Sequence, residues 1–189
     1  MMTISIGLIG EPAVGKTTVM KRIINGLDLI PSKLGKARWM ESSVEKIIVM
    51  GSYEGHMFDG TDRLSMACYS DLEQALEYFK THKSDYRILW EGDRLARDRW
   101  LDALLSNGYE LMLYHLWGDG ESVAERRDNR GTDQNISWVN GRRSLCVRLS
   151  KERNGIDVEM ANSDSFSELV FDIRAKLYLP DVCQTGLGE

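Results

Sequence analysis

One eight-residue run near the start constrains this chain more than anything else in it: Gly10-Glu11-Pro12-Ala13-Val14-Gly15-Lys16-Thr17. The run fits the spacing G-x-x-x-x-G-K-[S/T]. Before it lies Thr3 to Ile9, an isoleucine-rich apolar stretch too short for a helix and read as a buried strand. After it comes Lys16 to Asn25, with apolar residues at helical spacing and a stop at Gly26. A strand, a glycine-rich turn and a helix start in that order make a phosphate cradle. Gly10 and Gly15 let successive N–H groups turn inward, and the helix adds its positive end. Lys16 has the reach to span the β- and γ-phosphates of a nucleotide, and Thr17 offers a hydroxyl to Mg²⁺. Pro12 stiffens the loop, and Thr18 closes the binding set at the first helical turn. The motif therefore predicts ATP and Mg²⁺ as ligands.

The rest of the chain alternates apolar strand-like runs with amphipathic helical ones. Strands are expected at Lys46 to Met50, Tyr86 to Trp90, Tyr109 to Leu116 and Asp157 to Met160. Pro31 to Lys36 and Gly51 to Asp62 read as loops. Helices are expected over Asp71 to His82 with Ser70 as N-cap, and over Arg94 to Ser106. Further helices are expected at Glu121 to Arg130, Ser137 to Arg153 and Ser165 to Leu179. Such alternation predicts an α/β fold, a parallel sheet with helices on both faces. A length of 189 residues suits one domain, placed at 1–180, with a frayed tail at 181–189.

Composition narrows the function classes. No apolar run approaches the roughly 20 residues of a membrane span, and the start lacks a basic leader. A cytoplasmic protein with no membrane partner is expected. Cys68, Cys146 and Cys183 are widely spaced and form no metal pattern. The net charge of −5 argues against a protein that coats nucleic acid. Yet Arg126 to Arg148 holds six arginines against two acids, which points to a focused anion site.

Several clusters are candidates for chemistry. Glu91-Gly92-Asp93 follows a strand, where carboxylates face the ligand crevice of such sheets. Either acid suits the Mg²⁺ shell, and Asp93 also suits a helix cap. The run Phe58-Asp59-Gly60-Thr61-Asp62-Arg63-Leu64-Ser65 gathers two acids, an arginine and two hydroxyls. Asp62 or Asp59 is the candidate base for an attacking hydroxyl, with Arg63 and Arg94 as acceptor anchors. Arg97 and Arg99 read as solvated helix charges. Arg126 and Arg130 share a helix face in a segment suited to a closing lid, about 119–153, that brings positive charge to the transferring group. Trp138, Arg142 and Arg143 are candidates to complete the substrate site, Trp138 by stacking on a base. Trp39 and Tyr53 are further aromatics within reach of that role.

The loop, the acid pair after the strand at 86–90 and the arginine-rich segment near residue 126 together resemble the nucleoside-monophosphate-kinase-like branch of P-loop kinases. The resemblance implies a P-loop three-layer sandwich with a five-stranded parallel sheet and an arginine-rich helical lid. The acid-glycine-aromatic-proline-arginine run usual in nucleotide kinases is replaced here by Glu91-Gly92-Asp93-Arg94. The combination FDGTDRLS, ILWEGDRL and RGTDQN followed by W..GRR is similar to bacteriophage kinases that phosphorylate 5-hydroxymethyluracil in DNA. That likeness implies an ATP donor, a base hydroxymethyl acceptor and, for a phage-encoded enzyme, action in the host cytoplasm. A free nucleoside or nucleotide kinase and a regulatory P-loop ATPase working through partners are the alternative readings. Oligomeric state is not legible.

Overall fold

The structure is a computed structural model that describes residues 3–53, 60–65, 67–128, 136–151, 156–162 and 166–180. Its centre is β1, Thr3–Gly10, whose last six residues are buried. A mostly apolar strand buried in this way belongs inside a sheet covered on both faces. Two hydrophobic strands flank β1 in parallel: Arg87–Glu91 and Tyr109–Trp117. Beyond them, also parallel, lie Ile47–Met50 and Ile156–Asn162.

The sheet has seven strands, not the expected five. The two additions are β2, Ile30–Leu34, and β3, Ala37–Ser42, an antiparallel hairpin added beside Ile47–Met50. In chain order the remaining strands are then β4 (47–50), β5 (87–91), β6 (109–117) and β7 (156–162). The spatial order is β2-β3-β4-β5-β1-β6-β7. Pro31 to Lys36, expected to be a loop, supplies most of β2 and the turn. Gly35 takes φ 56° in that turn, and Leu34 pairs with Ala37 across it. Pro31 is tolerated because β2 is an edge strand and one side of its ladder is unpaired.

Alternating strand residues feed two cores. Ile48, Met50, Ile88 and Trp90 point to one face, where they join residues of α2 (Tyr69–His82), α3 (Asp98–Ser106) and α5 (Ile136–Lys151). Ile47, Val49, Leu89, Ile6 and Leu8 point to the other, against α1 (Lys16–Ile24) and α6 (Phe166–Lys176). Helices thus cover both faces. In α5, Val139, Cys146 and Leu149 are buried and tie the helix to the body. The short helix α4, Gly120–Asp128, precedes it.

Two helix starts differ from expectation. Ser70 lies inside the first turn of α2, whose N-cap is Cys68 with no side-chain cap bond. Helix α3 begins at Asp98 rather than Arg94, with Arg97 in extended conformation as its N-cap. The reason is Gly92, at φ 83°, whose carbonyl accepts from the amides of Leu95 and Ala96 and closes a turn there. Burial of Leu95 and Ala96 pins that turn against the sheet. Asp93 therefore does not cap a helix at Arg94.

Candidate active site

The C-terminal ends of β1, β4 and β5 open onto one cleft of about 700 Å³. Ligands bind outside this edge in open α/β sheets. The loop from Gly10 to Gly15 forms one wall. Gly10 and Gly15 take φ 150° and 103°, and Ala13 also has positive φ, at 68°. A Cβ at Gly15 would lie 2.5 Å from the Phe166 ring, so space as well as conformation requires glycine there. Lys16 Nζ donates to the carbonyl oxygens of Gly10 and Glu11, both at 2.9 Å, which holds the ammonium across the loop.

Glu91, at the end of β5, is the hub of the site. It is 3% exposed. One carboxylate oxygen accepts from the Thr17 hydroxyl at 3.2 Å and the other from the Tyr53 hydroxyl at 3.1 Å. Burial pushes its pKa up to about 7, against the opposing pull of Lys16, Thr17 and Tyr53. The segment after β4 is drawn against it. Thr61 donates to the Glu91 carbonyl at 2.7 Å. A Cβ at Gly60 would sit 2.5 Å from the carboxylate, so only glycine allows this approach. Thr17 and Glu91 are hard oxygen donors, set side by side as the hydroxyl and acid that hold Mg²⁺ in P-loop enzymes. The residues present therefore fit that ion.

Asp93 is placed differently from Glu91. It pairs with Arg142 Nε at 3.5 Å, and the Arg142 guanidinium lies 5.3 Å from the Trp138 ring centroid. Across the cleft, Asp62 stands on a single 3₁₀ turn, Thr61–Arg63, with Arg94 Nε 3.9 Å away. The Tyr69 hydroxyl bonds the Arg94 carbonyl, and Arg99 packs over the Tyr69 ring while binding Glu73 through two nitrogens at 2.7 and 2.8 Å.

Of the residues singled out from sequence, Pro12, Ala13, Gly15, Lys16, Thr17, Asp62, Glu91, Asp93, Arg94, Trp138 and Arg142 line the cleft. Gly10, Glu11, Val14, Thr18, Arg126 and Arg143 are not part of its lining. Val14 is core, and Thr18 is exposed on α1. Glu11 is buried and receives Arg143 at 3.2 Å, so this pair clasps α5 to the loop. Asp59 and Arg130 lie outside the described residues, as does the side chain of Arg63. Arg97 and Arg99, read as solvated, line the cleft, and so does Tyr69, which carried no signal at all. Thr61 and Ser65 also line it, and the clustering of hydroxyls in their run was the available hint.

Comparison with known proteins fits this geometry. A family model described as P-loop Nucleotide Kinase3 matches residues 1–164. The chain belongs to that family. It is an ATP-dependent kinase, and the cleft is where such an enzyme would work. None of the curated proteins compared with the kinase is similar to it in sequence. Among solved structures, an unliganded sugar kinase from Janibacter sp. HTCC2649 matches with a TM-score of 0.51 at 13% identity. The match covers 94% of the kinase and 95% of that chain. At that identity the likeness speaks for the fold alone.

Proposed function

We propose that this kinase transfers the γ-phosphate of ATP to a hydroxyl of a nucleotide, with 5-hydroxymethyluracil in DNA as the acceptor. The observation that carries the reading is the facing of two halves in one cleft. On one side stand Lys16, Thr17 and Glu91; on the other stand Asp62, Arg94 and Arg97. Arginines on the acceptor half favour a substrate that already carries phosphate. Trp138, 40% exposed at the cleft, offers a face for a base. The DNA-base acceptor is supported by the motif likeness at residues 58–65, 88–95 and 130–143.

In this scheme Asp62, or Asp59 on the same run, takes the proton from the acceptor hydroxyl. The hydroxyl oxygen bonds the γ-phosphorus as the bond to the β–γ bridging oxygen breaks, and ADP leaves. Lys16 meets charge on the transferring group, and Arg126 and Arg130 join it as the segment 119–153 closes. Thr17 and Glu91, with Asp93 in support, would hold the Mg²⁺ that accompanies ATP, and the ion would supply charge neutralisation. Arg63, Arg94, Trp138 and Arg142 bind the acceptor, and Arg143 serves through its pair with Glu11. For a phage-encoded enzyme the reaction would take place in the host cytoplasm.

Transfer of labelled γ-phosphate to a panel of acceptors tests the reading. Label should enter DNA containing 5-hydroxymethyluracil and not the matching thymine DNA. Label entering only the free hydroxymethyl nucleoside or its monophosphate would replace DNA by a small acceptor. ATP turnover with no labelled acceptor in any arm would favour a regulatory ATPase.

A further inference from the structure

Glu91 is held by more than the phosphate loop. Both of its carboxylate oxygens accept hydroxyl protons, one from Thr17 and one from Tyr53. Only the first partner belongs to the loop. The second lies just beyond β4, on the near side of positions 54–59. On the far side of those positions, Thr61 bonds the Glu91 carbonyl, and Gly60 packs against the carboxylate. Ser52 and Gly60 then close the two sides together, amide to carbonyl in both directions, at 3.2 and 2.6 Å. Asp62 follows Thr61 on the same turn. Residues on both sides of that segment are therefore fastened to Glu91, Tyr53 at its carboxylate and Thr61 at its backbone carbonyl, and the other carboxylate oxygen touches Thr17.

We propose that Tyr53 is a positioning residue for phosphoryl transfer: its hydroxyl fixes Glu91 so that the other carboxylate oxygen stays aimed at Thr17. The geometry makes this specific. A carboxylate has two equivalent oxygens and turns freely about its terminal bond unless both are engaged. With Tyr53 on one oxygen, the other has a single orientation, beside Thr17. Without it, one oxygen loses its hydroxyl partner and the carboxylate is free to rotate away from Thr17. The same bond links the acceptor side to the donor side, because Tyr53 and Gly60 are bridged through Ser52. A disturbance of one half is then felt in the other through Glu91.

The inference rests on the donor role proposed for Glu91 and Thr17, and not on the identity of the acceptor. Tyr53→Phe keeps the ring and deletes only the hydroxyl. Its affinity for a non-hydrolysable ATP analogue is measured by calorimetry with and without Mg²⁺, beside wild type. The expected result is a loss of about tenfold in the Mg²⁺-dependent part of the affinity, with less than a twofold change when Mg²⁺ is absent. Turnover of ATP should show the KM for MgATP rising by a similar factor. Hydrogen exchange at the Ser52 and Gly60 amides of nucleotide-free protein should quicken. A simply destabilised protein would lose affinity alike with and without Mg²⁺, and that outcome overturns the proposal. So does an unchanged Mg²⁺ dependence in a variant that melts with wild type. Should Tyr53→Phe melt too low to assay at room temperature, the same affinity ratio measured in the cold, below its melt, decides. Binding reads the result even where no acceptor is phosphorylated, so it stands apart from the acceptor panel.

Discussion

Lys16 reaches back to the carbonyls of Gly10 and Glu11, so its ammonium is already positioned where phosphate charge would lie. It is half-buried, and its ammonium meets loop carbonyl oxygens rather than a carboxylate, which leaves its charge for phosphate. Lys16→Met should lower phosphoryl transfer by about 10²–10³-fold, the range for removing one preorganised donor. Melting temperature should stay near that of wild type, which thermal denaturation beside a kinetic assay would check. Glu91 makes the opposite case, a charge the fold disfavours. Its pKa is raised from the ordinary carboxylate range to about 7. Between those values the folded state holds a proton that the unfolded chain has released, so stability falls as pH rises. The loss is complete once pH passes about 7. Melts of ligand-free protein between pH 5 and 8 should show this slope in wild type and its absence in Glu91→Gln. The difference should be on the order of 2–3 kcal/mol. Equal slopes in the two proteins would mean that Glu91 is not held protonated.

Element ends decide which arginines matter. Because α3 starts at Asp98, Arg94 and Arg97 lie on a turn at the cleft instead of on an exposed helix face. On α5, residues four and seven apart carry one face. Arg142 lies over Trp138 and beside Asp93, inside the cleft. Arg148 pairs with Asp98 on the surface, both side chains 46% exposed. Exposed pairs contribute roughly 0–1 kcal/mol. Arg148→Ala should therefore shift stability by under about 1 kcal/mol and leave kinetics unchanged. Arg142→Ala should raise substrate KM about tenfold at similar stability, the size of one lost charged hydrogen bond. Steady-state kinetics and urea melts of the two variants would separate them. Equal kinetic effects would remove the distinction between cleft and surface.

Across the whole molecule, the β2–β3 hairpin is part of the core and not an appendage. Trp39 of β3 is 4% exposed and meets Phe79 of α2 edge to face, with ring centroids 5.0 Å apart. Trp39→Ala should cost about 3–5 kcal/mol, the range for emptying a buried aromatic site. The ATP affinity of the remaining folded protein should be unchanged, since no residue of the hairpin lines the cleft. A urea titration with a parallel binding measurement would show both.

The inner strands β1, β4 and β5 were legible because each is a short, mostly apolar run buried on both faces, β6 because its run is mostly apolar, and the edge strand β7 because its apolar residues alternate with polar ones. The hairpin was not, because an edge strand such as Ile30–Leu34 alternates exposed and half-buried residues around a proline. The phosphate loop was legible as well, since its function needs local backbone geometry, and glycine spacing encodes that directly. Glu91 was marked by its place at a strand end. The sequence by itself thus marked out the donor half of this kinase: loop, lysine, threonine and the acid pair at the end of β5. Only tertiary structure chose between Glu91 and Asp93, brought Tyr53 to the Glu91 carboxylate and Thr61 to its backbone carbonyl, and turned Arg97 and Arg99 into the cleft. Those pairings join residues some 30 to 75 positions apart. They depend on which strands become neighbours and where one glycine turn ends, and neither is written in any local pattern.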